Sequence, residues 1–420
     1  MLEIYNLEHI VNRHSCLFCN ARLNHLFVDL GTCPPSNAFL TAEQRDEPEV
    51  FYPLRVYICE KCLLVQNPFF KRPQDIFNHD YVYHSSWSSS WVAHAKEYVE
   101  QVCSRFGFNE RSFIVEVGSN DGYLLQHALA RGVPCLGIDP SAGAASVAQT
   151  KGIPTITNFF TADLARALAD SGRHADLVCG INVFAHVPNI NDFIEGMRIL
   201  LKPEGVVTME FPHLMRLVED VQFDTIYHEH YFYYSLKIVQ KMLRAHGLRL
   251  FDVEQLPTHG GSLRVYACLK NAPYQVTSKV DEVLHLEEHH GMNTLAFYEH
   301  FQEKVTKIRH EVVRFLLDVT SAHKRVIGYG AAAKGNTMIN YFGIREDLLP
   351  LVVDASPIKQ GRFLPGSRIP VQAPDVIKKL KPDYLFVFPW NLKEEISSQH
   401  SYIREWDGKF VTAIPSLEIW

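Results

Sequence analysis

Ile114-Val115-Glu116-Val117-Gly118-Ser119-Asn120-Asp121-Gly122-Tyr123-Leu124-Leu125 decides how this 420-residue chain is read. An apolar run of strand character breaks into a Gly/Asn/Asp turn and resumes with helical spacing at Leu124, Leu125 and Ala128, which predicts strand, tight turn and helix. In a doubly wound α/β sheet, such a turn is where a ligand sits. Gly118 and Gly122 let the backbone bend sharply and approach it, and the carboxylates beside them suit hydroxyls and amines better than a phosphate. About twenty residues on, Cys135-Leu136-Gly137-Ile138-Asp139-Pro140 reads as a second strand ending in an acid, the usual place for a carboxylate that takes two ribose hydroxyls. Strand-like runs near Thr155, at 177–181 and at 206–211, with helical segments between them, continue the alternation.

Glu116, Gly118 and Asp139 together resemble the S-adenosylmethionine site of class I methyltransferases. On that resemblance Asp139 takes the ribose hydroxyls and Glu116 supports the Gly118 turn from the strand end. Further cofactor contacts are expected from Asn120, Asp121, Gly122, Tyr123, Leu124 and Pro140, and from Asn182 and Phe184 after the fourth strand. The segment Asn182-Val183-Phe184-Ala185-His186-Val187-Pro188 emerges at the carboxyl edge of the sheet, which places His186 toward the transferred methyl group. A hydrogen-bonded structural histidine is the bland alternative.

With 47% hydrophobic and 21% charged residues the chain is of ordinary globular composition, long enough for two or three domains. A net charge of -6 with no dense basic tract favours neither nucleic acid nor anionic membrane as a partner. The sequence carries no signal-peptide pattern and no apolar run long enough to cross a bilayer, so a cytoplasmic protein is expected. Its nine cysteines are therefore expected to be reduced or metal-bound. Cys16-Leu17-Phe18-Cys19 and Cys59-Glu60-Lys61-Cys62 are two CxxC knuckles, a set that presents four thiolates tetrahedrally to Zn2+ with no open coordination position, hence a structural metal. Cys33, Cys103, Cys135, Cys179 and Cys268 lack such spacing and read as buried packing residues.

Three other segments carry chemistry. Tyr81-Val82-Tyr83-His84-Ser85-Ser86-Trp87 is dense in hydroxyls and aromatics and reads as a hinge over a ligand or as a polar linker. In Phe223 to Leu236 the run Tyr227-His228-Glu229-His230 offers bases near neutrality with a carboxylate to fix a tautomer, and its i, i+2 histidines do not match a zincin pair. Pro257-Thr258-His259-Gly260-Gly261-Ser262 is a glycine turn entering a strand and reads as a substrate-contacting loop. From Ser278 to about His323 the pattern is helical, with Val305, Ile308, Val312, Phe315 and Leu316 near helical spacing. Beyond it, Val326-Ile327-Gly328-Tyr329-Gly330-Ala331-Ala332-Ala333-Lys334-Gly335 opens a second α/β unit whose next strand ends at Asp354. Its helix N-terminus suits a diphosphate, with Lys334 nearby, and its alanine-ended fingerprint admits a nicotinamide or a nucleotide-sugar handle.

The order of these motifs, closing with HGGS, GYGAAAKG and DASPIKQGRFLPGSRIPV, resembles the nucleotide-sugar C-methyltransferases that make branched deoxysugars. The resemblance covers essentially the whole chain. It implies a zinc-binding module over 1–75, a class I (Rossmann-like) methyltransferase core over 76–270, and a helical connection with a second Rossmann-like, nucleotide-sugar-binding domain over 271–420. It further implies methylation at C3 of a dTDP- or GDP-linked 4-keto-6-deoxy sugar through an enolate, with S-adenosylmethionine and Zn2+ as cofactors and a monomer as the expected state. The family's active-site tyrosine maps to Tyr81 or Tyr83, its histidine before proline to His186, and its Tyr, Glu and His to Tyr227, Glu229 and His230. Trp87 departs from the family pattern, where a small residue often follows the serines. The roles expected are His230 as base, Glu229 as its orienting carboxylate, and Tyr227, His228, His186 and the tyrosine of the 81/83 pair as donors or alternative bases. An O- or N-methyltransferase, a nicotinamide-dependent sugar oxidoreductase and a zinc adaptor are the rival classes.

Overall fold

The computed structural model describes residues 14–68 and 84–420. In chain order, β1 (His25–Cys33), β2 (Tyr52–Ile58) and β3 (Val65–Gln66) build the N-terminal module. The core follows with β4 (Ile114–Val117), β5 (Cys135–Ile138), β6 (Thr155–Ile156), β7 (Ala175–Ile181), β8 (Leu201–Pro212), β9 (Phe232–Tyr233), β10 (Leu248–Leu256) and β11 (Ser262–Leu269). The C-terminal unit contributes β12 (Val326–Tyr329), β13 (Val352–Val353), β14 (Val371–Gln372), β15 (Tyr384–Val387), β16 (Lys409–Thr412) and β17 (Glu418–Ile419).

The central sheet has the order β10-β11-β8-β7-β4-β5-β6. β4 lies parallel to both β5 and β7, so the strand order reverses at β4 and a crevice opens above its carboxyl end, as a class I methyltransferase core requires. β11 enters antiparallel between β8 and β10. All four residues of β4 are buried, Glu116 included, because helices cover both faces of a parallel sheet. The C-terminal sheet repeats the plan, with β13 and β15 flanking β12 in parallel and β17 closing one edge antiparallel. The sheet of the N-terminal module is completed by β9 of the core, which pairs with β3 through Val65 and Tyr233.

The stretch 278–323 is two helices, Ser278–His289 and Phe301–Ser321, where the sequence pattern suggests one run. The break has a local cause. Gly291 has φ +81° and His300 φ +65°, left-handed conformations that no helix propagates. The second helix buries Phe301, Val305, Ile308, Val312, Leu316 and Val319, a stripe repeating every three to four residues. Phe315 lies only partly buried beside it. This stripe joins one apolar cluster with Phe27 and Leu54 of the N-terminal module, Leu214 and Phe223 of the core, and Met338 and Val352 of the C-terminal unit. The shared cluster fixes how the three units meet. Cys33, Cys103, Cys135, Cys179 and Cys268 are buried among apolar side chains, as their irregular spacing implies. No helix among the described residues is long and apolar enough to cross a membrane.

Candidate active site and metal centre

At the end of β4 the chain turns through Gly118 (φ +69°), Asn120 (φ +48°) and Gly122 (φ +76°). A Cβ on Gly118 would lie 2.8 Å from Val183 Cγ2, so both conformation and space demand glycine there. Asp139 braces the turn. Its Oδ2 accepts the Asn120 N–H and its Oδ1 the Ser141 N–H, both at 2.8 Å, while Gly118 N donates to the Ile138 carbonyl. The bracing expected of Glu116 is thus supplied by Asp139 from the end of β5, while Glu116 is fully buried beside Asp139, Asp121 and Tyr123. Tyr123 is the hydrogen-bonding neighbour of its carboxyl. Burial first, then repulsion from Asp139 and Asp121, raises the Glu116 carboxyl well above the usual carboxylate range. Burial also raises Asp139, against the two N–H bonds it accepts. A cluster of three acids at the ends of β4 and β5 fits a cationic ligand with ribose hydroxyls.

The remaining expected cofactor residues separate into two groups. Asp121 holds the incoming segment: the Ser86 hydroxyl and backbone N–H both bond its Oδ2, and Ser85 N donates to Asn120 Oδ1 at 2.9 Å. Pro140 and Asn182 are partly exposed at the crevice, Asn182 bonding His259 Nε2 through its amide at 2.9 Å. Leu124 and Phe184 are core residues instead. Leu124 is buried under the helix Ser89–Phe106, and Phe184 stacks on Tyr234 at 4.4 Å with no exposed surface. Their apolar chemistry draws them into the core on either side of the crevice. Tyr123 is buried too, its ring 6.4 Å from that of Trp91. Gly122 packs against Ala148.

The Tyr227–His230 segment folds as a turn closed by His230 N donating to the Tyr227 carbonyl at 2.9 Å. A four-residue turn sets its first and last side chains together and sends the middle two elsewhere. The Tyr227 and His230 rings accordingly lie 4.0 Å apart, and His186 faces His230 at 4.8 Å. His228 leaves this group. It is buried with Nε2 on the Pro53 carbonyl at 3.2 Å and its edge against Tyr52, a tie to the N-terminal module. The Glu229 carboxylate accepts from Asn37 Nδ2 at 3.2 Å, and it is not what orients His230. That task falls to the Thr225 carbonyl, which accepts from His230 Nδ1 at 2.9 Å, while the Glu229 carbonyl accepts from His186 Nδ1 at 2.8 Å. A carbonyl only accepts, so each Nδ1 carries the proton and each Nε2 keeps its lone pair. Burial pushes His186 down to about 4 and His230 well below the ordinary histidine value, His186 adding to the effect at His230. Both rings are neutral near pH 7. Tyr81 and Tyr83 lie outside the described residues. Trp87 points outward, 47% exposed, and stacks on His84.

Further polar and aromatic residues pack around His259, near His230, of which sequence had offered only hints. His259, in the left-handed region at φ +54°, is pushed down to about 4 by burial, then by Lys334. It sits edge-on to Trp91, whose ring stacks on His94. Glu210 near the end of β8 takes His94, Arg264 and Thr258 at once, which pins the His259 loop to the sheet. In the C-terminal unit Lys359 donates to the Ala331 carbonyl at 2.9 Å, with Asp354 at 3.5 Å. A side chain therefore already lies across the GYGAAAKG turn.

The metal centre lies apart from this cleft. Each knuckle is a tight turn, with Asn20 N on the Cys16 carbonyl and Leu63 N on that of Cys59. The four sulfurs lie within 4.8 Å of one another, with Cys16–Cys62 and Cys19–Cys59 at 3.6 Å. Zn–S bonds of about 2.3 Å in a tetrahedron imply S···S edges of about 3.8 Å, so the donor set fits zinc. Gln66 adds an outer contact, its Nε2 3.2 Å from Cys16 Sγ and its Oε1 accepting Leu17 N.

Comparison with known proteins agrees with this geometry. Residues 16–77 match a family described as "Putative zinc binding domain", 91–253 a "Methyltransferase domain" and 257–415 a "C-methyltransferase C-terminal domain". The C-methyltransferase NovU of Streptomyces niveus is 33% identical over 392 residues, 93% of each chain. The chain belongs to this C-methyltransferase family. A ubiquinone biosynthesis O-methyltransferase of Chelativorans is 29% identical over 26% of this C-methyltransferase and 46% of its own length. Among solved structures, an S-adenosylmethionine-dependent methyltransferase from Clostridium acetobutylicum overlaps 41% of this chain and 90% of its own at 12% identity and TM-score 0.35. The enzyme is an S-adenosylmethionine-dependent methyltransferase, and its four-cysteine cluster, which would hold zinc, lies in the stretch that matches the zinc-binding family.

Proposed function

We propose that this C-methyltransferase acts at C3 of a nucleotide-linked 4-keto-6-deoxy sugar, carried on dTDP or GDP. The observation that supports the reading is the facing pair His186 and His230, both neutral, both with Nδ1 fixed on a main-chain carbonyl, and both largely buried. Carbon methylation requires a carbon nucleophile, and a hydrogen next to a ketone is the one such a base can remove. His230 Nε2 takes the C3 proton, the C–H electron pair becomes the C3–C4 double bond, and negative charge collects on the C4 oxygen. S-adenosylmethionine, when bound, would supply the electrophilic methyl group. Tyr227, its ring tilted against His230, is the hydroxyl donor nearest the base, and it and the fixed ring of His186 keep C3 in a near-attack position.

The test is hydrogen exchange. With a 4-keto nucleotide sugar and S-adenosylhomocysteine in D2O, the enzyme exchanges the C3 hydrogen without turnover, and His230→Ala loses exchange and methylation together, by ~10²- to 10⁴-fold, while still binding S-adenosylhomocysteine. Persistence of exchange in that variant with loss in His186→Ala would move the base to His186. A product methylated on oxygen or nitrogen, with C3 never labelled, would refute the reading. Mass spectrometry over a panel of dTDP- and GDP-linked sugars identifies the carrier.

A further inference from the structure

Lys334 belongs to the C-terminal unit, yet its surroundings are those of the methyltransferase cleft. It lies at the start of the helix Ala333–Phe342. Three residues on, and so on the same helix face, Thr337 Oγ1 donates across 3.0 Å to the carbonyl of Ile226, the residue before Tyr227. This buried tie sets Lys334 beside the Tyr227–His230 turn. Its ammonium donates to Asn391 Oδ1 at 2.7 Å and lies 4.6 Å from the centre of the Trp390 ring. Trp390 reaches the other wall of the cleft: its indole N–H donates to Asp224 Oδ2 at 2.8 Å, and a Cβ on Gly260, next to His259, would collide with its ring. The ammonium is therefore held by an amide and an aromatic face, with the Asp224 carboxyl as a nearby counter-charge that offsets part of the downward push burial gives its pKa. Its field reaches the cleft bases, depressing both His259 and His230.

We propose that Lys334 is a further catalytic residue, donating to the C4 oxygen of the sugar as enolate charge develops there. The inference rests on the enolate reading above. As the C3 proton moves to His230 Nε2, its electron pair forms the C3–C4 double bond and the carbonyl π pair moves onto O4. The Lys334 N–H then hydrogen-bonds that oxyanion, and no further reactant is needed. An imidazole made a weaker base by burial needs such an electrophile at the carbonyl, and a desolvated ammonium acts more strongly than one in water. The geometry also gives the two Rossmann units a common task, since the second brings the charge to the first.

The experiment measures C3 exchange in D2O at saturating 4-keto nucleotide sugar with S-adenosylhomocysteine, in wild type, Lys334→Met and Lys334→Arg, with calorimetric S-adenosylhomocysteine affinity alongside. Lys334→Met should slow exchange at saturation by ~10²-fold or more with cofactor affinity within about threefold, and Lys334→Arg should recover part of the rate. Exchange in Lys334→Met within about fivefold of wild type at saturation, with only KM raised, would make Lys334 a binding cation for the diphosphate and overturn the proposal. Should Lys334→Met lose S-adenosylhomocysteine binding, Lys334→Gln, which keeps a donor and removes the charge, is held to the same thresholds. Wild-type enzyme that never exchanges C3 would overturn the enolate reading and this role with it. Wild-type exchange with an undiminished variant would overturn the lysine's role alone.

Discussion

His228 gives a direct measure of how far the fold depends on a histidine held neutral. Its side chain is fully buried, with Nε2 on the Pro53 carbonyl, and burial pushes its pKa from 6.5 down to about 4. A histidine depressed in the folded state is neutral in both states well above 6.5, so it has no effect on stability there. As the pH falls through 6.5 the unfolded chain takes the proton first, and stability is lost progressively until the folded group titrates near 4. From about pH 7 to about pH 5 the linkage integral is about 2 kcal/mol, and the full shift is worth about 3 kcal/mol below the folded pKa. His228→Gln keeps a donor for Pro53 and cannot titrate. Urea unfolding followed by tryptophan fluorescence at both pH values, in both proteins, isolates this residue, because the other depressed histidines and the zinc thiolates cancel in the double difference. Wild type should lose about 2 kcal/mol more than the variant on acidification. A double difference under about 0.5 kcal/mol, the usual error of additivity, would show that His228 is not a buried neutral group and that the Pro53 contact is wrong.

Metal analysis should find one zinc per chain, with Cys59→Ser lowering metal content, stability and solubility together; zinc fully retained after loss of two of the four cysteines would contradict the site. Asp139→Ala removes both the expected ribose contact and the brace on Asn120, so calorimetry should show S-adenosylmethionine affinity weakened at least ~10-fold, and unchanged affinity would remove Asp139 from the site. Gly118→Ala places a Cβ against Val183 at φ +69° and should cost roughly 1–3 kcal/mol of stability, seen as a lowered unfolding midpoint; a neutral effect would mean that the turn relaxes freely.

What the sequence determined by itself was whatever short-range chemistry encodes. Paired cysteines two residues apart can hold a metal only in one kind of turn, and Ile114 to Leu125 can only be strand, glycine turn and helix, so the zinc module and the cofactor crevice were legible before any contact was known. The tertiary structure decided which side chains of a motif share a space. Tyr227, His228, Glu229 and His230 are equivalent on paper, and a hydrogen bond from His230 N to the Tyr227 carbonyl divides them, sending two to the cleft and two to the N-terminal module. Phe184 beside His186 likewise went to the core, and Asp139 took over the bracing that Glu116 was expected to give. Thr337, three residues beyond Lys334, docks on Ile226, more than a hundred residues away in the chain. Such contacts depend on the packing of whole units against one another, a long-range property that no local pattern of residues records.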